Sequence, residues 1–252
     1  MALPRIMLAP NGARKTKADH SRLPMTVAEL IAETRLAVQA GADGLHAHIR
    51  DSDGRHSLDA GLYRELLSET DQAFPGLFVQ VTTEAVGIYT ASEQRSLVHE
   101  LKPRAVSIGL REVTSDGELG QVGRLFAFCM DEGIEVQHIL YDEGDCSLFM
   151  RLKSDGIIPE LRPQVLHVLG RYSVGQVSDP SHVALRVQAL QYIEVDWGLC
   201  AFGRNETECL IRALELGGNA RIGFENNLEH PDGRVAESNA DRVRDLVVRL
   251  QG

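Results

Sequence analysis

The chain has 252 residues, with 36 acidic and 26 basic side chains and a formal net charge of −10. That balance argues against a general nucleic-acid surface while leaving room for a local basic pocket that holds an anion. The composition, 43% hydrophobic and 25% charged, is that of a globular protein, and the longest apolar runs are strand-sized, too short to span a membrane.

In chain order, RIMLA (5–9) predicts a first strand; MALPRIMLAP reads as its lead-in and lacks the pattern of a secretory signal. TVAELIAETRLAVQA (26–40) predicts a helix, opened by a capping box of Thr26 and Glu29 and closed at Gly41. GLHAHI (44–49) is the second strand, followed by a helix over 59–74, strand FVQVTT (78–83) and a helix over 92–101. AVSIGL (105–110) precedes a helix over 119–133, and EVQHIL (135–140) and VLHVLG (165–170) are the fifth and sixth strands. VDWGLCAF (195–202), a helix over 206–218, ARIGF (220–224) and a helix over 238–250 complete the series, with boundaries in 141–160 and 171–191 left open.

Eight strand-like runs alternating with helices predict a parallel sheet. Eight units in about 250 residues favour a closed (β/α)8 TIM barrel, expected as a single domain over 1–252. No G-x-G-x-x-G follows the first strand, which removes the main support for a dinucleotide fold. The four cysteines, Cys129, Cys146, Cys200 and Cys209, show no C-x-x-C spacing and read as reduced thiols of a cytoplasmic protein.

In this fold the active site lies where strands end and the following loops begin. His46 and His48 sit two apart late in the second strand, so both imidazoles share one face, with Arg50 next. Such a pair suits zinc or another divalent transition ion, and Glu225, after the eighth strand, offers a third ligand. Arg221, four residues earlier, lies on the same face as Glu225 and could orient it or bind an anionic substrate. His138 and His167 fall mid-strand and read as interior histidines. Further loop-end groups are Asn11, Thr82, Thr83, Glu84, Arg111, Glu112, Tyr141, Asp142, Glu143, Gly170 and Arg171. FGRNE (202–206) is a candidate anion seat, with Gly203 at the turn and Arg204 as the cation.

These residues resemble the β-keto acid cleavage enzymes, the group that includes 3-keto-5-aminohexanoate cleavage enzyme. The resemblance rests on APNGARKTKADHSRLPMT (9–26), H-x-H-x-R-D-x-D-G (46–54), VLG (168–170), GR (203–204) and GGNARIGFENNLEHPDGRVAESNA (217–240), spread over the whole chain. It implies a (β/α)8 barrel, a homo-oligomer (dimer or tetramer), and a zinc ion held by His46, His48 and Glu225. It also implies an exchange in which a β-keto acid and acetyl-CoA give acetoacetate and a new acyl-CoA. Gly203 and Arg204 would then serve acetyl-CoA, and Asn11, Arg50, Thr82, Thr83 and Asn226 the keto acid.

The family's general base is an aspartate after the metal glutamate, supported by an arginine that Arg221 matches. Here that position is Asn226, and an amide cannot take a proton at neutral pH. Glu84, Glu112 and Glu143 are the loop-end carboxylates that could replace it, and Glu84 and GLREVT (109–114) also depart from the family pattern. The departures cluster on loops that would shape the substrate pocket, which predicts another keto-acid specificity. Two other readings stay open: a metal-dependent hydrolase or lyase without CoA, and a non-catalytic barrel binding an anionic metabolite through its metal.

Overall fold

The computed structural model describes residues 2–251, so Met1 and Gly252, the ends of the expected domain, lie outside the described residues. The first half contains β1 (Ile6–Leu8), α1 (Val27–Gln39), β2 (Gly44–Ala47), β3 (Ile49–Arg50), β4 (His56–Ser57), α2 (Ala60–Ala73), β5 (Phe78–Thr82), α3 (Ala91–Leu101), β6 (Ala105–Gly109), α4 (Leu110–Val113) and α5 (Leu119–Glu132). The second half contains β7 (Glu135–Leu140), α6 (Glu143–Ser154), β8 (Gln164–Leu169), α7 (Ser181–Gln188), β9 (Asp196–Ala201), α8 (Glu206–Glu215), β10 (Asn219–Ile222) and α9 (Asn239–Gln251). Eight strands close in the order β1-β10-β9-β8-β7-β6-β5-β2, all parallel, with helices outside: a (β/α)8 barrel.

Local sequence explains the helix starts. Thr26 and Thr90 each cap the backbone of a glutamate three residues on, and each glutamate returns a bond to its cap. Asp59 and Asp142 cap α2 and α6 in the same way with a single bond. The main core lies between the barrel and its helices, where Leu45, Ile108, Phe126, Phe149 and Val243 are fully buried.

His138 and His167 point into this outer layer. The His138 ring lies against Phe126 and Phe149, and His167 against Trp197. Both are core histidines, as the sequence predicts.

The sequence predicts one strand over 44–49, but β2 stops at Ala47. The side-chain amide of Asn11 takes the place of a neighbouring strand there: its Nδ2 donates to the His48 carbonyl at 2.8 Å, and the His48 N–H donates to its Oδ1 at 3.3 Å. The chain then forms a small antiparallel ribbon, β3 with β4, whose turn is held by Asp51 Oδ1 accepting from the N–H groups of Asp53 and Arg55.

Candidate metal centre and pocket

The barrel interior is polar low down and apolar above. His46 on β2 pairs in register with Gln80 on β5, and its Nδ1 meets Gln80 Oε1 at 2.9 Å. Gln80 Nε2 donates onward to Gln137 Oε1 at 3.2 Å. An amide oxygen can only accept, so His46 Nδ1 carries the proton and its Nε2 lone pair faces the mouth. Higher up, Ile139, Val168 and Phe202 form an apolar strip.

Glu225 reaches the same point from the turn after β10. Two glycines make room: at Gly12 (φ +62°) a Cβ would stand 2.7 Å from Glu225 Cγ, and at Gly223 (φ +145°) it would stand 2.3 Å from the Ala9 carbonyl oxygen. His46 Nε2 lies 3.6 Å from Glu225 Oε2, His48 Nε2 lies 3.6 Å from Glu225 Oε1, and the two Nε2 atoms are 3.3 Å apart. One ligand atom from each residue falls within 4.8 Å of the others.

The donor set fits a divalent cation. Burial, followed by Arg221, pushes the His46 pKa well below its ordinary value and keeps the ring neutral, the form that ligates. Burial opposes charge on Glu225, but the Arg221 guanidinium beside it outweighs that and holds its pKa well below the carboxylate range. Glu225 Oε2 is buried with no hydrogen-bond partner. An anionic oxygen of that kind, facing two imidazole nitrogens, is what a cation would satisfy. Two histidines and a carboxylate suit zinc and leave further positions open.

Arg221 rises from β10 beneath the triad, its Nη2 3.3 Å from Glu225 Oε1 and 3.6 Å from Cys200 Sγ. Its Nε and Nη1 are buried without partners, so they remain as donors for a ligand oxygen. Glu84, after β5, stands 3.7 Å from His48 Nδ1 and 3.5 Å from Arg171 Nη2. Thr82 and Tyr141 complete the lining of this recess. A larger hollow of about 430 Å³ opens by Lys102–Ala105, at the start of β6 and the opposite end of the barrel, away from these groups. Size therefore does not mark the site; the chemistry does.

Several expected residues have other work. Arg50 donates to the carbonyls of Gly12, Ala13 and Lys15 through Nη1 and Nη2, so its guanidinium clamps the first loop. Glu112 Oε2 accepts from the Ala85 N–H and from Gln94 Nε2, each at 3.0 Å, which fixes the loop that carries Glu84. Glu143 is exposed in the first turn of α6. Thr83 Oγ1 donates to the Ser107 carbonyl, behind the cavity wall. Asn11 lines an adjoining recess while holding His48.

Asn226 Nδ2 donates to the Arg221 carbonyl at 3.0 Å and to Glu206 Oε1 at 3.2 Å. Glu206 is itself locked to Arg242 at 2.7 Å, and both side chains are fully buried. Asn226 thus ties the Glu225 turn to α8 and α9. Gly203 and Arg204 border a separate open cleft, where Arg204 is exposed and 3.4 Å from Glu229.

Sequence reasoning named Arg171 and Tyr141 among the loop-end groups and Phe202 only within FGRNE, and it did not single out Lys15. Arg171 and Tyr141 had a usable signal, since both follow strand ends. Lys15 had none, because its place depends on a fold-back of the first loop that brings its Nζ to the Glu225 carbonyl at 2.6 Å.

The sequence model of the beta-keto acid cleavage enzyme family matches residues 5–251. The 3-keto-5-aminohexanoate cleavage enzyme of Acetoanaerobium sticklandii is 26% identical over 246 residues, covering 95% of this chain and 88% of that protein. The 3-oxoadipate:acetyl-CoA acetyltransferase of Cupriavidus necator is 25% identical over 249 residues, covering 94% and 85%. Among solved structures, apo ObcA superposes with a TM-score of 0.67 at 15% identity, over 92% of this chain and 62% of its own, so this chain spans less than two thirds of it. A type I 3-dehydroquinate dehydratase from Clostridium difficile gives 0.61 at 13% identity, over 99% and 94%. These two likenesses show the fold alone. The family match runs from the residue before β1 to the end of α9, and on that evidence the chain belongs to the beta-keto acid cleavage enzyme family.

Proposed function

We propose that this protein exchanges acyl groups between a β-keto acid and acetyl-CoA, giving acetoacetate and a new acyl-CoA. The observation that carries the reading is the convergence of His46, His48 and Glu225 on one point, above an arginine with two unspent donors. Zinc is the ion we assign to these ligands; when bound it acts as a Lewis acid on the keto and carboxylate oxygens of the substrate. Arg221 binds and orients the carboxylate through Nε and Nη1. Asn11 and Gln80 hold the two histidines in place from behind.

Glu84 is the general base in this reading. Among the described residues lining the cavity it is the one carboxylate other than Glu225. Glu112 is spent on the loop and Glu143 faces solvent, so neither competes. Glu84 takes a proton from the α-carbon, and the carbanion forms a bond to the thioester carbon of acetyl-CoA. The CoA sulfur leaves and adds to the original keto carbon. The bond between that carbon and the α-carbon then breaks, releasing the new acyl-CoA, and the acetoacetate carbanion recovers the proton from Glu84.

The open cleft beside Gly203 and Arg204 adjoins Lys15 and is our site for the CoA arm. A homo-oligomer, dimer or tetramer, is supported by the exposed Tyr172, Val174, Leu185 and Tyr192. Four free, buried cysteines support a reducing, cytoplasmic setting. No described helix is long and apolar enough to cross a membrane.

The test uses acetyl-CoA labelled with ¹³C in its acetyl group, zinc-loaded protein and a panel of β-keto acids. The label should appear in acetoacetate, with an unlabelled new acyl-CoA formed in equal amount. Zinc-loaded protein that yields neither product with any acid would overturn the reading.

A further inference from the structure

Two cations stand at the same end of the pocket's apolar strip, and neither is needed for the triad. Lys15 Nζ lies 6.0 Å from the centre of the Phe202 ring, and the Arg171 guanidinium lies 5.0 Å from it. Lys15 spends one bond on the Glu225 carbonyl, and an ammonium has three to give. Arg171 meets Glu84 at 3.5 Å, the outer limit of a hydrogen bond, although a guanidinium can fork onto a carboxylate with two short ones.

The charge balance points the same way. Lys15, Arg171 and Arg221, with the exposed Arg14 at the rim, face Glu84 and Glu225 around the two joined recesses, an excess of two positive charges in a chain whose net charge is −10. A divalent ion raises that excess to four. Uncompensated charge in a part-buried site is costly, and a ligand with two negative groups relieves more of it than a ligand with one. A ligand that also carries an amine, protonated at neutral pH, cancels the relief its single carboxylate brings.

The geometry points to a β-keto dicarboxylic acid as the substrate of this pocket, an inference that rests on the proposed acyl exchange. One carboxylate belongs at the triad and Arg221. The methylene chain lies along Ile139, Val168 and Phe202, and the distal carboxylate bridges Lys15 and Arg171. The phosphates of CoA do not meet this need, because the pantetheine arm separates them from the reacting thioester.

The experiment compares three β-keto acids of equal chain length on the zinc-loaded enzyme: one ending in a carboxylate, one in a methyl group and one in an amine. The diacid should give the highest kcat/KM. Arg171→Gln and Lys15→Gln should each lower the ratio of diacid to methyl-ended kcat/KM roughly tenfold or more, the loss of one charge-assisted contact. The ratio is the readout because Arg171 also touches Glu84, and its loss slows every substrate.

A second readout needs no turnover: calorimetric titration of zinc-loaded protein with adipate and with hexanoate. Tighter adipate binding that disappears in the double variant supports the subsite. Preference for the methyl-ended or amine-ended acid, or equal binding of the two inert acids, overturns it. A loss confined to the KM for acetyl-CoA and shared by all keto acids assigns the cations to CoA and also overturns it. If none of the three acids yields an acyl-CoA, the acyl-exchange reading fails, and the calorimetry still decides the charge preference.

Discussion

The two walls of the pocket are built differently. The wall that carries His46, His48 and Glu225 rises from β2 and β10, and each of its members is backed by structure: Gln80 behind His46, Asn11 along His48, Gly12 and Gly223 beside Glu225. The other wall, with Glu84, Lys15 and Arg171, stands on loops: Glu84 is joined to Arg171 and His48 by longer contacts of 3.5 to 3.7 Å, and only Lys15 makes a short one, 2.6 Å to the Glu225 carbonyl. In the proposed reading, the contrast separates the part that would hold the ion in one geometry from a part that is free to change with the substrate. Two of the departures from the expected pattern, Glu84 and 109–114, lie off the metal wall, whereas Asn226 follows Glu225 on it.

Breaking the metal wall has the largest expected effect. His46→Ala removes a ligand and should lower acyl exchange by about 10³-fold or more, the several kcal/mol that a Lewis acid supplies. Zinc content measured on the same preparation should fall with it; unchanged zinc and rate would remove His46 from the site.

Next comes the support behind Asn226. Glu206→Gln leaves the fully buried Arg242 with only the more distant Asp245, 3.9 Å away, as its anion, and should cost about 3 kcal/mol of unfolding free energy in urea titrations. A loss under about 1 kcal/mol would mean that the pair is not what anchors the turn. Gln80→Leu is a subtler cut, because it removes only the acceptor that orients His46. Zinc affinity should fall roughly 10–100-fold while the fold persists, as competition with a chelator would show.

The smallest effect lies outside the pocket. Burial lowers the His167 pKa from 6.5 to about 3. The unfolded chain therefore binds a proton below pH 6.5 that the folded chain refuses, and stability falls as pH drops through that window until about pH 3. The slope due to this one residue is up to about 1.4 kcal/mol per pH unit. Denaturant midpoints at pH 7, 6 and 5 should decline less steeply in His167→Gln than in the wild type, and parallel lines would contradict the account.

Much of the metal wall was legible in the sequence because strand periodicity fixes it. Two histidines one residue apart on a strand share a face, and Glu225 follows the last strand. The break at His48 was not legible, since it comes from Asn11, 37 residues away. The same applies to Arg50, whose place beside the histidines suggested substrate contact. Its donors go to carbonyls of the first loop, a fold-back that no local pattern encodes. The sequence named three carboxylates as stand-ins for the missing aspartate and could not rank them. Burial and hydrogen bonding do, by tying up Glu112 and exposing Glu143.

The central claim is that the loop wall supplies the base to the ion held by the strand wall, and Glu84→Gln tests it most directly. The variant keeps the size of the side chain and leaves all three ligands in place. Its kcat should be measured beside the wild type, with zinc quantified in both. The account predicts full zinc occupancy and a kcat lower by about 10²–10⁴-fold, the usual weight of a general base. An undiminished kcat at equal zinc would contradict it and return the search for the base to the residues around Asn226.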